Sequence, residues 1–177
     1  GLRTLLADTK IDGFAWGARQ MKDENHGSVV LRSHYFGLQK VFDDWQITRD
    51  PATGEVPGGL DAVVAHYQGI SEKYGFSITP PEQLINGLGY QAMGRGDLPV
   101  AIEIFRYNVA GHPHSANPHD SLAEALENDG RLEEARKGYE KAYELGQQIE
   151  DPNAGVYKRN LDRVLAKQQE GAGAGES

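Results

Sequence analysis

The sequence contains no cysteine, which excludes disulfide bridges and thiolate metal sites and leaves the redox compartment open. It also lacks any run of about 18 consecutive apolar residues, the length a helix needs to cross a bilayer. Basic residues are the minority, with 18 Lys and Arg against 26 Asp and Glu and a formal charge of -8. No local basic cluster offsets that balance, which argues against nucleic acid or a membrane surface as partner. What is present suffices to fold. Of 177 residues, 38% are hydrophobic and 25% charged, a globular balance with room for one domain or two small ones.

The chain opens on Gly1 rather than Met, with Leu2, Leu5 and Leu6 at helical spacing and no cap before them, as expected of a fragment. From Gly13 to Met21, Phe14, Trp16 and Ala18 alternate with Ala15, Gly17 and Arg19, and this period of two predicts a short strand. A polar loop, 22–27, follows and carries His26. Ser28 is placed to cap a helix containing Val29, Val30, Leu31, Phe36, Leu38, Val41 and Phe42. Residues 1–45 therefore read as strand, His-bearing loop and helix. Residues 46–59 are rich in turn formers, end in Pro57-Gly-Gly59, and read as a linker.

Beyond the linker, 60–170 reads as helix only. Leu60, Val63, Val64, Tyr67, Ile70 and Tyr74 share one helix face, and Gly75 is placed to close that helix with a left-handed cap. Thr79-Pro-Pro-Glu82 offers a capping box, and Asn117-Pro118 and Asp151-Pro152 repeat the pairing of a side-chain acceptor with a residue of helical φ. The tail, 171–177, is too poor in side chains to pack and is expected to be disordered.

A shift of 34 places superimposes Leu88 on Leu122, Gly89 on Ala123, Gly96 on Gly130, Ala101 on Ala135, Phe105 on Tyr139 and Asn108 on Ala142. On these positions, 82–146 resembles tetratricopeptide repeats, whose helix–turn–helix unit has this period. Pro113 ends the first unit as that pattern does, whereas the second has Gln147 there. The resemblance implies stacked hairpins, with 60–74 as a degenerate preceding layer and 152–167 as a cap whose Lys and Arg suit a solvated face. Such repeats either brace a neighbouring domain or bind a peptide. In the second case the groove-facing first-helix residues are Gln83, Asn86, Tyr90, Met93, Asn117, Asp120, Glu124 and Glu127. The acidic second set disfavours an anionic ligand and leaves a neutral or basic protein segment.

The text Asp23-Glu-Asn-His-Gly-Ser-Val29, with Tyr35-Phe-Gly-Leu38 and Phe42-Asp-Asp-Trp45 behind it, resembles the end of an esterase family of α/β-hydrolases that includes siderophore-esterase-like enzymes. Some members of that family carry tetratricopeptide repeats after this point. Pro81-Glu82, Gly87-Leu-Gly-Tyr90 and Ser115-Ala-Asn-Pro-His-Asp-Ser-Leu122 are similar to theirs. The resemblance implies that His26 is the catalytic base of a serine esterase, and that a preceding hydrolase domain of the same polypeptide is its partner. A nucleophile on a Gly-x-Ser-x-Gly elbow is absent from this sequence, so the chain alone is not expected to hydrolyse esters.

His112, His114 and His119 lie close in sequence, yet polar turn residues are expected at such a junction, and no metal or cofactor is assigned. The expected fold is mainly α: tetratricopeptide-like hairpins preceded by a strand–loop–helix remnant of an α/β-hydrolase. The expected function is the C-terminal segment of a serine esterase. The alternative is a non-enzymatic scaffold or adaptor.

Overall fold

The structure, a computed structural model, describes residues 4–6 and 16–174, with side chains described as far as residue 170. The chain divides into two compact units, residues 1–46 and 47–177.

In the first unit, α1 spans Val29–Val41. The loop before it is organised by Asn25, whose Oδ1 accepts from the backbone N–H of Gly27 at 2.9 Å and of Ser28 at 3.1 Å. Ser28 occupies the N-cap position, but its hydroxyl accepts from Asn25 N–H at 3.0 Å instead of capping the first turn. Glu24 pairs with Arg32 at 2.8 Å, and the Arg19 guanidinium lies 3.9 Å from the Phe36 ring centroid. None of α1's residues is buried, and Leu31 is 80% exposed.

The strand expected over 13–21 requires correction. Residues 16–21 form no strand, and Gly13, Phe14 and Ala15 lie outside the described residues. Alternation alone does not make a strand, because its backbone groups must pair in a ladder. Trp16 to Gln20 are instead exposed and irregular. All regular structure among the described residues is helical, and the strand–loop–helix remnant has no strand there.

The second unit begins with an ordered loop. Asp50 Oδ1 accepts from Ala52 N–H at 2.8 Å and Thr53 N–H at 2.9 Å, Val56 is buried, and Glu55 pairs with Arg95 at 2.9 Å. Then come α2 (Gly59–Tyr74), α3 (Glu82–Gly94), α4 (Leu98–Gly111), α5 (Ala116–Asn128), α6 (Leu132–Gln148) and α7 (Ala154–Ala174). Gly75 closes α2 at φ +75°, its N–H donating to Ser71 O. Both ends of α5 lie 34 residues after those of α3, and the inter-helix turns pass through Gly96 at φ +80° and Gly130 at φ +78°. The 34-residue spacing is therefore a repeat of helical hairpins, α3–α4 and α5–α6.

Consecutive helices from α3 to α7 pack on one another, and α3 also touches α5, so the first helices of the two hairpins are neighbours. A Cβ on Gly89 would stand 2.4 Å from the Phe105 ring, so glycine lets α3 and α4 close. In the second hairpin the small residue has moved across: a Cβ on Gly138 of α6 would meet Ala123 Cβ at 2.8 Å. Phe105 and Tyr139 are fully buried at these crossings. Farther along, Ala116, Ala142, Leu145 and Tyr157 form a cluster that joins α5, α6 and α7.

Several helix starts differ from expectation. The cap of α3 is Pro81, with no side-chain bond from Thr79, and α5 starts at Ala116, which places Asn117 inside it. The α6 helix runs past Gln147 and turns through Glu150 at φ +53°. The tail expected to be disordered from Gly171 continues as helix to Ala174, with 175–177 outside the described residues.

Candidate functional site

The face shared by the first helices α3 and α5 is where the sequence placed a groove. On α3, Gln83 is exposed, Asn86 is buried, Tyr90 is 40% exposed and Met93 is half-buried. On α5, Asn117 and Glu124 are half-buried, whereas Asp120 and Glu127 are buried.

Polar side chains stitch the two helices together. The Asn117 amide donates to Glu82 Oε1 at 2.9 Å. About two turns along, the Tyr90 phenol donates to Glu124 Oε2 at 2.9 Å and stands 3.3 Å from the Ser121 hydroxyl. The ring of Tyr90 rests edge-on against Phe105 with centroids 5.2 Å apart. Burial, reinforced by Glu124, pushes the phenol up to about 12, so it stays a neutral donor.

The last helix was expected to present its cations to solvent, and two of them do something else. Arg163 donates to both Glu127 oxygens, from Nε at 3.0 Å and Nη2 at 2.7 Å, while Lys167 Nζ reaches Oε1 at 2.8 Å. Tyr139 adds a phenol at 2.7 Å. The Arg163 contact above all holds the Glu127 carboxyl down to about 2. Glu127 is thus an internal tie and not a groove residue, because Arg163 and Lys167 of α7 reach its carboxylate. Asp120 is treated differently. Its oxygens accept only from the Asn160 amide among their close contacts, at 2.9 and 3.2 Å, and burial pushes its carboxyl above the ordinary range.

Asn86 and Asn108 each bury a side-chain oxygen that accepts no hydrogen bond. Asn108 still donates to Glu82 O at 3.2 Å and braces the start of α3. The sequence reading missed Glu82, Ser121, Asn160, Arg163 and Lys167; the four-residue spacing of the last two was the one available signal for a shared partner.

His26 sits exposed in the turn before α1, and no hydrogen bond or ion pair engages its imidazole among the described residues. His112 and His119 set a ring nitrogen against the carbonyls of Pro80 and Pro113, at 2.9 and 3.2 Å. Among the described residues no group of three or more His, Cys, Asp or Glu could hold a metal, and no helix is long and apolar enough to cross a membrane. A pocket of ≈ 430 Å³ between α4 and the α5–α6 turn is lined by Arg106 and Arg131, but both guanidiniums are engaged by Glu134.

No protein-family model matches the chain, and no curated protein matches it. Among solved structures it is similar to PcrH, in the crystal structure of PcrH in complex with the chaperone binding region of PopD. Identity is 16% over 84% of this chain and 99% of that chain, with a TM-score of 0.47. A likeness this distant does not bear on what the present chain binds.

Proposed function

We propose that the helical-repeat unit is a protein-interaction module, a scaffold or adaptor that takes a neutral or basic segment of a partner along the face of α3 and α5. The observation that carries this reading is Tyr90. A large aromatic ring remains 40% exposed there, yet it is fixed in place by Phe105 behind it and Glu124 beside it. Rigid, amphipathic aromatic rings are the commonest anchors of protein recognition, because they offer area without losing much side-chain freedom. Gln83, Met93 and Asn117 extend the accessible row on either side. Display of random peptides against the full chain tests the reading. Peptides are expected to be enriched that bind in the micromolar range and lose most of that affinity with Tyr90→Ala. Enrichment indifferent to Tyr90→Ala would count against it.

The esterase reading, with His26 as catalytic base and a hydrolase domain as covalent partner, rests on the sequence resemblance of 23–45 and of the repeat text. No hydrogen bond or ion pair orients the His26 imidazole among the described residues, so the adaptor reading is preferred.

A further inference from the structure

We infer that α1 pairs with the α1 of a second copy of this chain, through an outward apolar seam of Leu31, Tyr35, Leu38 and Phe42, and that the chain is a weak, concentration-dependent dimer. The inference is independent of the interaction-module reading.

The α1 helix has two apolar faces, and its own unit covers one of them. Val29 and Phe36, two turns apart, are half-buried, and the Arg19 guanidinium lies against the Phe36 ring. On the far side of the helix Leu31, Tyr35 and Leu38 are 80, 60 and 60% exposed. Phe42 at the C-cap continues this row, which advances by four, three and four residues. That is the spacing with which one helix seats its side chains between those of another. Each copy carries the same seam, so a two-fold axis makes it self-complementary.

Charge selects the occupant. No charged residue lies on the seam, and the helix's cations, Arg32 and Lys40, are neutralised locally by Glu24 at 2.8 Å and Asp43 at 2.6 Å. Residues 1–46 hold six Lys and Arg against six Asp and Glu, so the formal charge of -8 lies wholly in 47–177. Two copies can therefore meet at α1 without the net repulsion that opposes contact between two copies of 47–177. An anionic lipid surface fits less well, because interfacial helices carry a surplus of Lys and Arg on their polar face, whereas each cation here has an acidic partner.

The area agrees with a weak dimer. Val30, Leu31, Tyr35, Leu38, Val41 and Phe42 together leave roughly 600 Å² accessible, given about 150–250 Å² for a large side chain. Two copies can thus bury up to about 1,200 Å², the lower limit of a standard interface.

Sedimentation equilibrium of the full chain from about 5 to 500 µM tests this, with a dimerisation midpoint of order 100 µM expected for so small an area. Leu31→Glu with Leu38→Glu should raise that midpoint at least tenfold, because like charges then face each other. Ser33→Glu, which adds a charge on the opposite face, should leave it unchanged. Gly37→Ala, off the seam and with open space around the new Cβ, should lower it about twofold by favouring the helix. Circular dichroism of each variant checks that helix content is kept, and the dilution series of the native chain needs no variant to fold. A native chain that stays monomeric at the highest concentration overturns the pairing, as does a dimer that the paired Glu substitutions leave intact. A monomer that instead co-sediments with phosphatidylcholine–phosphatidylserine vesicles assigns the seam to lipid and overturns it as well.

Discussion

The phenol of Tyr139 donates a 2.7 Å hydrogen bond to the same Glu127 oxygen that Arg163 Nη2 reaches at 2.7 Å. One buried carboxylate on the first helix of the second hairpin thereby ties the second helix of its own hairpin to the helix that closes the stack. Both basic partners are about half exposed, so the negative end is desolvated while the positive ends stay partly hydrated. That asymmetry keeps the charges affordable inside a repeat protein, where each layer is stabilised mainly by its neighbours.

Replacing Glu127 with Gln is expected to destabilise the fold by about 2–3 kcal/mol, the range for losing charge-assisted hydrogen bonds at a buried acceptor. Denaturant melts measure it. The carboxyl lies near 2 in the fold against an ordinary 4.5, so its contribution is present above about pH 4.5 and lost as pH falls toward 2. The variant should therefore lose part of the acid limb of the stability profile.

Asp120→Asn should act in the opposite direction. Burial raises this carboxyl above its ordinary 3.8, so its contribution is fully present below that pH and is lost as pH rises through the raised value. The neutral isostere keeps an acceptor for Asn160. We expect a higher thermal midpoint than the native chain at pH 7, by a few degrees, and no difference below about pH 3.5. A lower midpoint at pH 7 would mean that the charge of Arg163 outweighs the burial of Asp120.

Gly89→Ala is expected to cost about 1–2 kcal/mol although alanine is the better helix former, because the new Cβ would fall 2.4 Å from a fully buried Phe105 ring. The double variant with Phe105→Leu should be less destabilised than the sum of the singles. Additive losses in a double-mutant cycle would place the clash elsewhere.

The turns give a paired prediction. Gly130→Ala places a Cβ at φ +78° and should destabilise by about 1–2 kcal/mol, whereas Glu150→Gly relieves a side chain held at φ +53° and should stabilise by about 1 kcal/mol. Gly94→Ala, in open space within α3, serves as the control and should be neutral or slightly stabilising.

Much of the repeat unit was legible because its determinants are local. Gly75, Gly96 and Gly130 mark backbone turns that few other residues tolerate, and the 34-residue offset carries the hairpin packing with it. The fate of Glu127 was not legible. Its cationic partners sit on α7, whose register depends on α6 running to Gln148, longer than the first unit's second helix, and on a turn through Glu150 that no glycine announces. Glycine moving from α3 in one hairpin to α6 in the other hid the second close approach for the same reason: packing constrains the pair, not the position. The period-two reading near Trp16 erred because alternation records a pattern of side chains, while a strand needs a partner. Of the eight face positions, five are accessible and three are not. Tyr90, Glu124, Asn117, Gln83 and Met93 are accessible as expected, and Asn86, Asp120 and Glu127 are buried.

The most direct test is a backbone NMR titration of the full chain with a display-selected basic peptide. Shifts are expected to concentrate on α3 and α5 around Asn86, Tyr90, Met93, Asp120 and Glu124, leaving the outer face of α6 unmoved. Shifts confined to α4 and α6, or to α1, with the Tyr90 region silent, would contradict the account.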